Sequence, residues 1–170
     1  MKYQKIILVA IVCLVFSCSS VKKNALISNN NTEPTMAKFE PADGECLFFS
    51  GQDLRAVGGL DNYTDGYCDH FDVPAGVTVY TGFSSGAESF GYIQKGNDGI
   101  KTVANWGAED NCAQYYLDDA DFNHSMIAIG LSLVDNEKKT ATGEHDHLIR
   151  ELAEWIKASN RPVFLRVGYE

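Results

Sequence analysis

Arg166 and Glu170 lie four residues apart in the run Arg161-Pro162-Val163-Phe164-Leu165-Arg166-Val167-Gly168-Tyr169-Glu170, and they share one parity of an extended chain. A carboxyl group can donate or accept a proton, and an arginine on the same face could orient it or hold a hydroxyl group of a ligand. Gln52 and Asp53 follow an apolar run and offer hydrogen-bonding groups to a hydroxyl-rich ligand. Tyr80, Trp106, Tyr115 and Tyr116 are rings on which a sugar can stack, and Trp106, between Asn105 and Gly107, follows a loop. By residue type alone the same groups are a terminal carboxylate, a surface cation and core aromatics.

Other clusters point away from metal chemistry. Glu144-His145-Asp146-His147 contains three ligand types, but adjacent residues do not converge on a helix. At a helix start such acids favour the dipole, so the segment reads as N-terminal capping. Asp118, Asp119, Asp121 and Asn123 lack the glycine and terminal glutamate of a calcium loop and read as solvated. His70 and His124 have no evident partner. Cys46 reads as a buried small hydrophobe in a strand, whereas Cys68 and Cys112 are candidates for a disulfide.

The elements that must position these groups follow from pattern. Cys46-Leu47-Phe48-Phe49, Val77-Thr78-Val79-Tyr80-Thr81, Ser125 to Leu133 and Pro162 to Gly168 read as four strands by residue type and flanking breakers. Leu148, Ile149, Leu152, Ala153 and Ile156 form one face of a helix that Asn160 and Pro162 stop. A weaker helix is expected over Ala108 to Leu117, a short one between Leu54 and Phe71, and a long surface loop from Gly82 to Trp106. Strand starts roughly 30 to 50 residues apart suit strand–helix–strand crossovers and a parallel sheet. Ile127, Ile129 and Leu131 share a face opposite Met126, Ala128 and Gly130, and Val163, Leu165 and Val167 oppose Phe164 and Arg166. One face is therefore aliphatic and the other mixed, as in a barrel wall; an open doubly wound sheet is aliphatic on both.

The first residues are an address. Lys2 and Lys5 precede the apolar run Ile6 to Phe16, which is too short to span a bilayer. Val15-Phe16-Ser17-Cys18 resembles the lipobox of bacterial lipoproteins, which implies lipid on Cys18 and a bacterial cell-envelope location. Residues 1–17 then form the signal, 18–37 a polar flexible tether and 38–170 the folded part. The chain carries 14 basic and 23 acidic side chains, a net charge of −9, which argues against a nucleic-acid partner. Apolar residues at 45% suit a globular domain.

Arg161 to Glu170 resembles the fourth strand of the (β/α)8 TIM-barrel glycoside hydrolases of family 26. There the strand ends in an arginine followed by a glutamate that is the catalytic acid/base. Leu47-Phe48-Phe49-Ser50-Gly51-Gln52-Asp53 is similar to the family's first strand, and Asp146 with Leu148-Ile149 to its helix-start pattern. Tyr169 stands where the family has a histidine, and no histidine follows Gly51. The resemblance spans Leu47 to Glu170 and implies an α/β barrel of which only the first four strands are present. It implies Glu170 as acid/base, with no cofactor and no metal; Gln52 and Asp53 would then face the cleft as substrate-binding residues, and Tyr169, Arg166 and Trp106 are further candidates, the last two equally readable as structural. The substrate would be a β-mannan, β-xylan or β-glucan, and hydrolysis retaining. The nucleophilic glutamate belongs to a seventh strand, so the chain as it stands is expected to be inactive.

A glycan-binding surface lipoprotein without hydrolysis would need the aromatic platforms but not Glu170. A flavodoxin-like domain is disfavoured, because Ser50-Gly51-Gln52-Asp53 is not a glycine-rich phosphate turn.

Overall fold

The computed structural model describes residues 39–89, 91–105 and 110–168. The chain divides into two units, residues 1–40 and 41–170, and every element below belongs to the second. The signal, the tether, Cys18, Trp106, Tyr169 and Glu170 lie outside the described residues. No described helix is long and apolar enough to cross a membrane.

Four parallel strands form the main sheet: β1 (Phe49–Gly51), β2 (Gly76–Gly82), β7 (Met126–Ser132) and β8 (Val163–Val167), side by side in that order. Register is continuous, with Gly51 opposite Thr78, Thr78 opposite Ala128, and Ala128 opposite Phe164. Each new parallel strand is added on the same side. Right-handed crossovers in such an order bring every connection onto one face, and no switch point arises at which the order reverses.

Burial follows that logic. Val77, Val79 and Thr81 of β2 and Ile127, Ile129 and Leu131 of β7 are buried on the covered face. They join one core with Leu54 and Val57 of α1 (Leu54–Val57), Tyr116 of α2 (Ala113–Asp118) and Leu148, Leu152 and Trp155 of α4 (Asp146–Ser159). Removing such an aliphatic side chain costs about 2–5 kcal/mol. The opposite face carries Phe49, Thr78, Tyr80, Met126, Ala128, Phe164 and Arg166, none of which belongs to the core. Across that open face the Phe49 and Phe164 rings meet edge to face with centroids 5.9 Å apart. Their strands are three intervals apart, roughly 14 Å in a flat sheet. The sheet is therefore concave on its mixed face.

Several elements differ from expectation. β1 begins at Phe49, and Cys46 is exposed where burial was expected, because only Phe49, Ser50 and Gly51 find partners on β2. The Phe49 ring lies over Gly76, where a Cβ would overlap it. The expected surface loop after Gly82 instead contains a hairpin of β3 (Ser85–Ser89) and β4 (Tyr92–Lys95) and a short ribbon of β5 (Ala104–Asn105) and β6 (Asp110–Asn111). Ile100 and Ala104 within it are buried. Tyr92 donates to Asp98 at 2.5 Å, and Asp98 accepts from the Lys95 amide at 2.7 Å, so side chains close the segment where glycine-rich sequence suggested a loop.

The best helix is rotated from its expected stripe. Leu148, Leu152 and Trp155 face the core, whereas Ile149 is 41% exposed and Ala153 is exposed. Trp155 anchors that rotation by donating its indole N–H to Gln114 Oε1 at 2.8 Å. Asn160 ends the helix at φ 51°, a left-handed conformation that asparagine tolerates. At the other end no side chain caps the helix. His145 is buried instead, edge-on to Phe83 and 3.1 Å from the Thr140 hydroxyl, so only Asp146 in the first turn serves the dipole. A five-residue helix, α3 (Glu137–Ala141), precedes it.

Candidate functional site

Of the expected site residues, Gln52 and Asp53 follow the carboxyl end of β1 and Arg166 lies on β8, while Trp106, Tyr169 and Glu170 are outside the described residues. Asp53 leaves β1 after Gly51-Gln52, and its carboxylate accepts from the Arg55 and Ala56 amides at 3.1 Å each, capping α1. Tyr80 lies two residues beyond the point where β1 ends, in register with Gly130 and Arg166. Gly130 has no side chain, so nothing on β7 separates Arg166 from Tyr80. Arg166 Nη2 donates to the Tyr80 hydroxyl at 3.4 Å across that gap. Arginine and tyrosine thus form one polar row on the concave face.

A second network holds Tyr80 from the other side. Asn111 Oδ1 accepts from the Tyr80 amide at 3.1 Å, and Asn111 Nδ2 donates to the Tyr80 carbonyl at 2.8 Å. The buried asparagine amide replaces the strand that β1 is too short to supply. Gly99, at φ +83°, leaves the room it needs, since a Cβ there would overlap Asn111 Nδ2. Asp110, next in chain, accepts from the Tyr63 hydroxyl at 2.9 Å and from Asn105 Nδ2 at 3.3 Å. Burial first, and then the bond to Asp110, push the Tyr63 phenol up to about 12. It stays a neutral donor in ordinary buffers. Asp53, Arg55, Tyr63, Asn105 and Asp110 together line an open depression of about 230 Å³ beside the end of β1.

Tyr63, Asn105, Asp110 and Asn111 were not singled out from sequence. Tyr63 and Asp110 are 47 residues apart and belong to irregular segments with no periodicity to mark them. Of the expected platforms, Tyr116 is buried in the core and cannot meet a sugar, Tyr80 is half-buried, and Tyr115 is exposed. Burial raises the Tyr116 phenol, and its hydroxyl has no hydrogen-bond partner among the described residues.

The candidate disulfide does not form. Cys46, Cys68 and Cys112 are all free. Cys112 is buried at the start of α2 with its thiol 3.8 Å from the Ile100 carbonyl, and Cys68 sits in a 3-10 turn (Tyr67–Asp69) against Gly59. Burial pushes both thiols up. His70 does have a partner, Asp65 at 3.2 Å.

No protein-family model matches the chain, and no curated protein does. The functional reading therefore rests on this geometry together with the sequence resemblance. Chemically, the concave face offers a guanidinium, a phenol and an aromatic pair above small residues. The depression beside it adds carboxylates and a neutral phenolic donor. Such a surface suits a ligand rich in hydroxyl groups.

Proposed function

We propose that the four parallel strands are the first four of a (β/α)8 barrel, and that the protein is a lipid-anchored glycoside hydrolase of the bacterial cell envelope acting on a β-linked mannan, xylan or glucan. The observation that carries the reading is the meeting of Phe49 and Phe164 over the mixed face. A sheet wound in one direction, covered on one side and curled toward the other is what a barrel wall requires. Ligands of such barrels bind at the carboxyl ends of the strands, where Gln52, Asp53 and Arg166 lie.

In this reading Glu170 protonates the leaving glycosidic oxygen, and a second carboxylate attacks the anomeric carbon. Glu170 then removes a proton from the water that releases the sugar. Arg166, held by Tyr80, positions a sugar hydroxyl or Glu170, four residues on in the sequence; Tyr169 and Trp106 are further candidates for substrate contact. The rival reading, glycan binding without hydrolysis, is favoured by the carboxylate and tyrosine depression, which needs no acid/base.

The test is hydrolysis of β-mannan, β-xylan and β-glucan by the full gene product, wild type against Glu170→Gln. Loss of turnover with retained glycan binding supports the assignment. Retained turnover in the variant overturns it, and binding without turnover in the wild type selects the rival.

A further inference from the structure

We infer that the protein carries an oligosaccharide-binding groove outside the concave face, formed by Tyr63 and Tyr115 and specific for neutral rather than anionic glycans. The inference rests on the carbohydrate-directed reading above and adds a place and a charge preference to it.

An open depression of about 260 Å³ lies between residues 60–63 of the β1–β2 connection and the end of α2. Tyr63 and Tyr115 lie side by side in its lining, in ring contact with centroids 6.2 Å apart and planes tilted by 53°. Tyr115 is 37% exposed although it stands in a helix whose next residue, Tyr116, is buried. A tyrosine ring left open above a depression presents an apolar face and a polar rim, the two features that the C–H face and the hydroxyl edge of a pyranose can meet. Tyr63 also lines the neighbouring depression of Asp53, Asn105 and Asp110, so the two spaces share a wall. The proposed ligand, an extended chain of sugars, would run from one to the other along that wall.

The polar lining sets the charge of the ligand. Asp61, Asp118 and Asp119 line the outer depression, and Asp53 and Asp110 the inner one, against one cation, Arg55. Four of these carboxylates are held by donors within the protein: Asp53 by the α1 amides, Asp110 by Tyr63 and Asn105, Asp118 by Gln114, and Asp119 by the Asp121 amide. A carboxylate has about four acceptor positions, so each keeps some for a ligand. The wall is thus rich in acceptors and asks for a ligand rich in donors. Sugar hydroxyls satisfy it. A uronic-acid polymer would bring a carboxylate per residue against five aspartates and is repelled.

The experiment is calorimetric titration of the full chain with mannohexaose, xylohexaose, cellohexaose and hexagalacturonate at physiological ionic strength, with thermal melts as the folding control. At least one neutral hexasaccharide is expected to bind, and hexagalacturonate not to. Tyr115→Ala is expected to weaken the neutral ligand by about tenfold or more, while Tyr115→Phe keeps the affinity within about threefold. Unchanged binding by Tyr115→Ala together with loss in Arg166→Ala overturns the groove and leaves the concave-face reading standing. Equal or tighter binding of hexagalacturonate overturns the charge preference. No binding of any neutral hexasaccharide overturns the groove and the carbohydrate reading together.

Discussion

Phe49 and Phe164 stand on the two outermost strands of a four-stranded parallel sheet, yet their rings touch edge to face at 5.9 Å and 78°. Side chains rising from a flat sheet at those positions would be separated by two intervening strands. Here the intervening positions are Gly76, Thr78, Met126 and Ala128, small or flexible enough for the outer strands to curl over them. Aromatic pairs of this geometry are worth about 0.5–1.5 kcal/mol beyond their buried area. A double-mutant cycle with Phe49→Leu and Phe164→Leu should therefore show a coupling of about 1 kcal/mol in urea unfolding, and additive single effects would contradict the contact.

Asn111 should be far less replaceable than an average asparagine. Its amide satisfies both backbone groups of Tyr80, and a truncated side chain leaves them without those bonds. Asn111→Ala is expected to cost about 2 kcal/mol, and Asn111→Asp, which sets an oxygen against the Tyr80 carbonyl, at least as much. Faster amide exchange at Tyr80 would accompany the loss.

Tyr116→Phe should stabilise the fold. The Tyr116 hydroxyl is buried and has no hydrogen-bond partner among the described residues, so removing it relieves a desolvation penalty while the ring keeps its packing on Phe122. A gain of about 1 kcal/mol in denaturant unfolding is expected. A loss of that size would reveal a partner for the hydroxyl.

Alkaline pH should weaken the protein in a defined window. Tyr63 and Tyr92 have phenols raised from 10.0 to about 12, each mainly by burial and then by bonds to Asp110 and Asp98. The folded state holds these protons more tightly than the unfolded state, so their stabilising contribution is complete below about 10 and disappears as pH rises toward about 12. Unfolding followed against pH, with the phenolate absorbance as a second readout, should show the fall begin near 10 and become shallower in Tyr63→Phe. An unchanged slope in that variant would exclude Tyr63 as a source.

The outer strand β8 should govern self-association. Leu165 is 42% and Val167 60% exposed, and no described strand lies beyond it. A bare apolar edge pairs with other chains, and lysine on such an edge discourages it. Val167→Lys should lower light scattering at high protein concentration without changing the melting temperature by more than a few degrees. Unaltered scattering would place the sticky surface elsewhere.

Much of the architecture was legible because it depends on local pattern. Alternation in Met126–Ser132 and Val163–Val167 separates an aliphatic face from a mixed one, and burial keeps that division on β7, while β8 is exposed on both faces. Gly76 opens and Gly82 closes β2, and Asn160 ends α4, as the breakers suggest. The expected α4 stripe shares Leu148, Leu152 and Ile156 with the observed one but omits Trp155, which a bond to Gln114 of another helix fixes inward.

The sequence by itself determined the parallel strands and, on β7, the division between a buried aliphatic face and a mixed one, since strand parity and breaker positions are short-range properties of the chain. Only the tertiary structure decided that Tyr80 meets Arg166, that Asn111 stands in for a strand, and that Tyr63 joins Asp110 across 47 residues. It also decided that Cys68 and Cys112 remain apart and that Tyr115 rather than Tyr116 faces outward. Those relationships depend on how irregular segments settle against a curved sheet, where side-chain geometry in three dimensions replaces spacing along the chain.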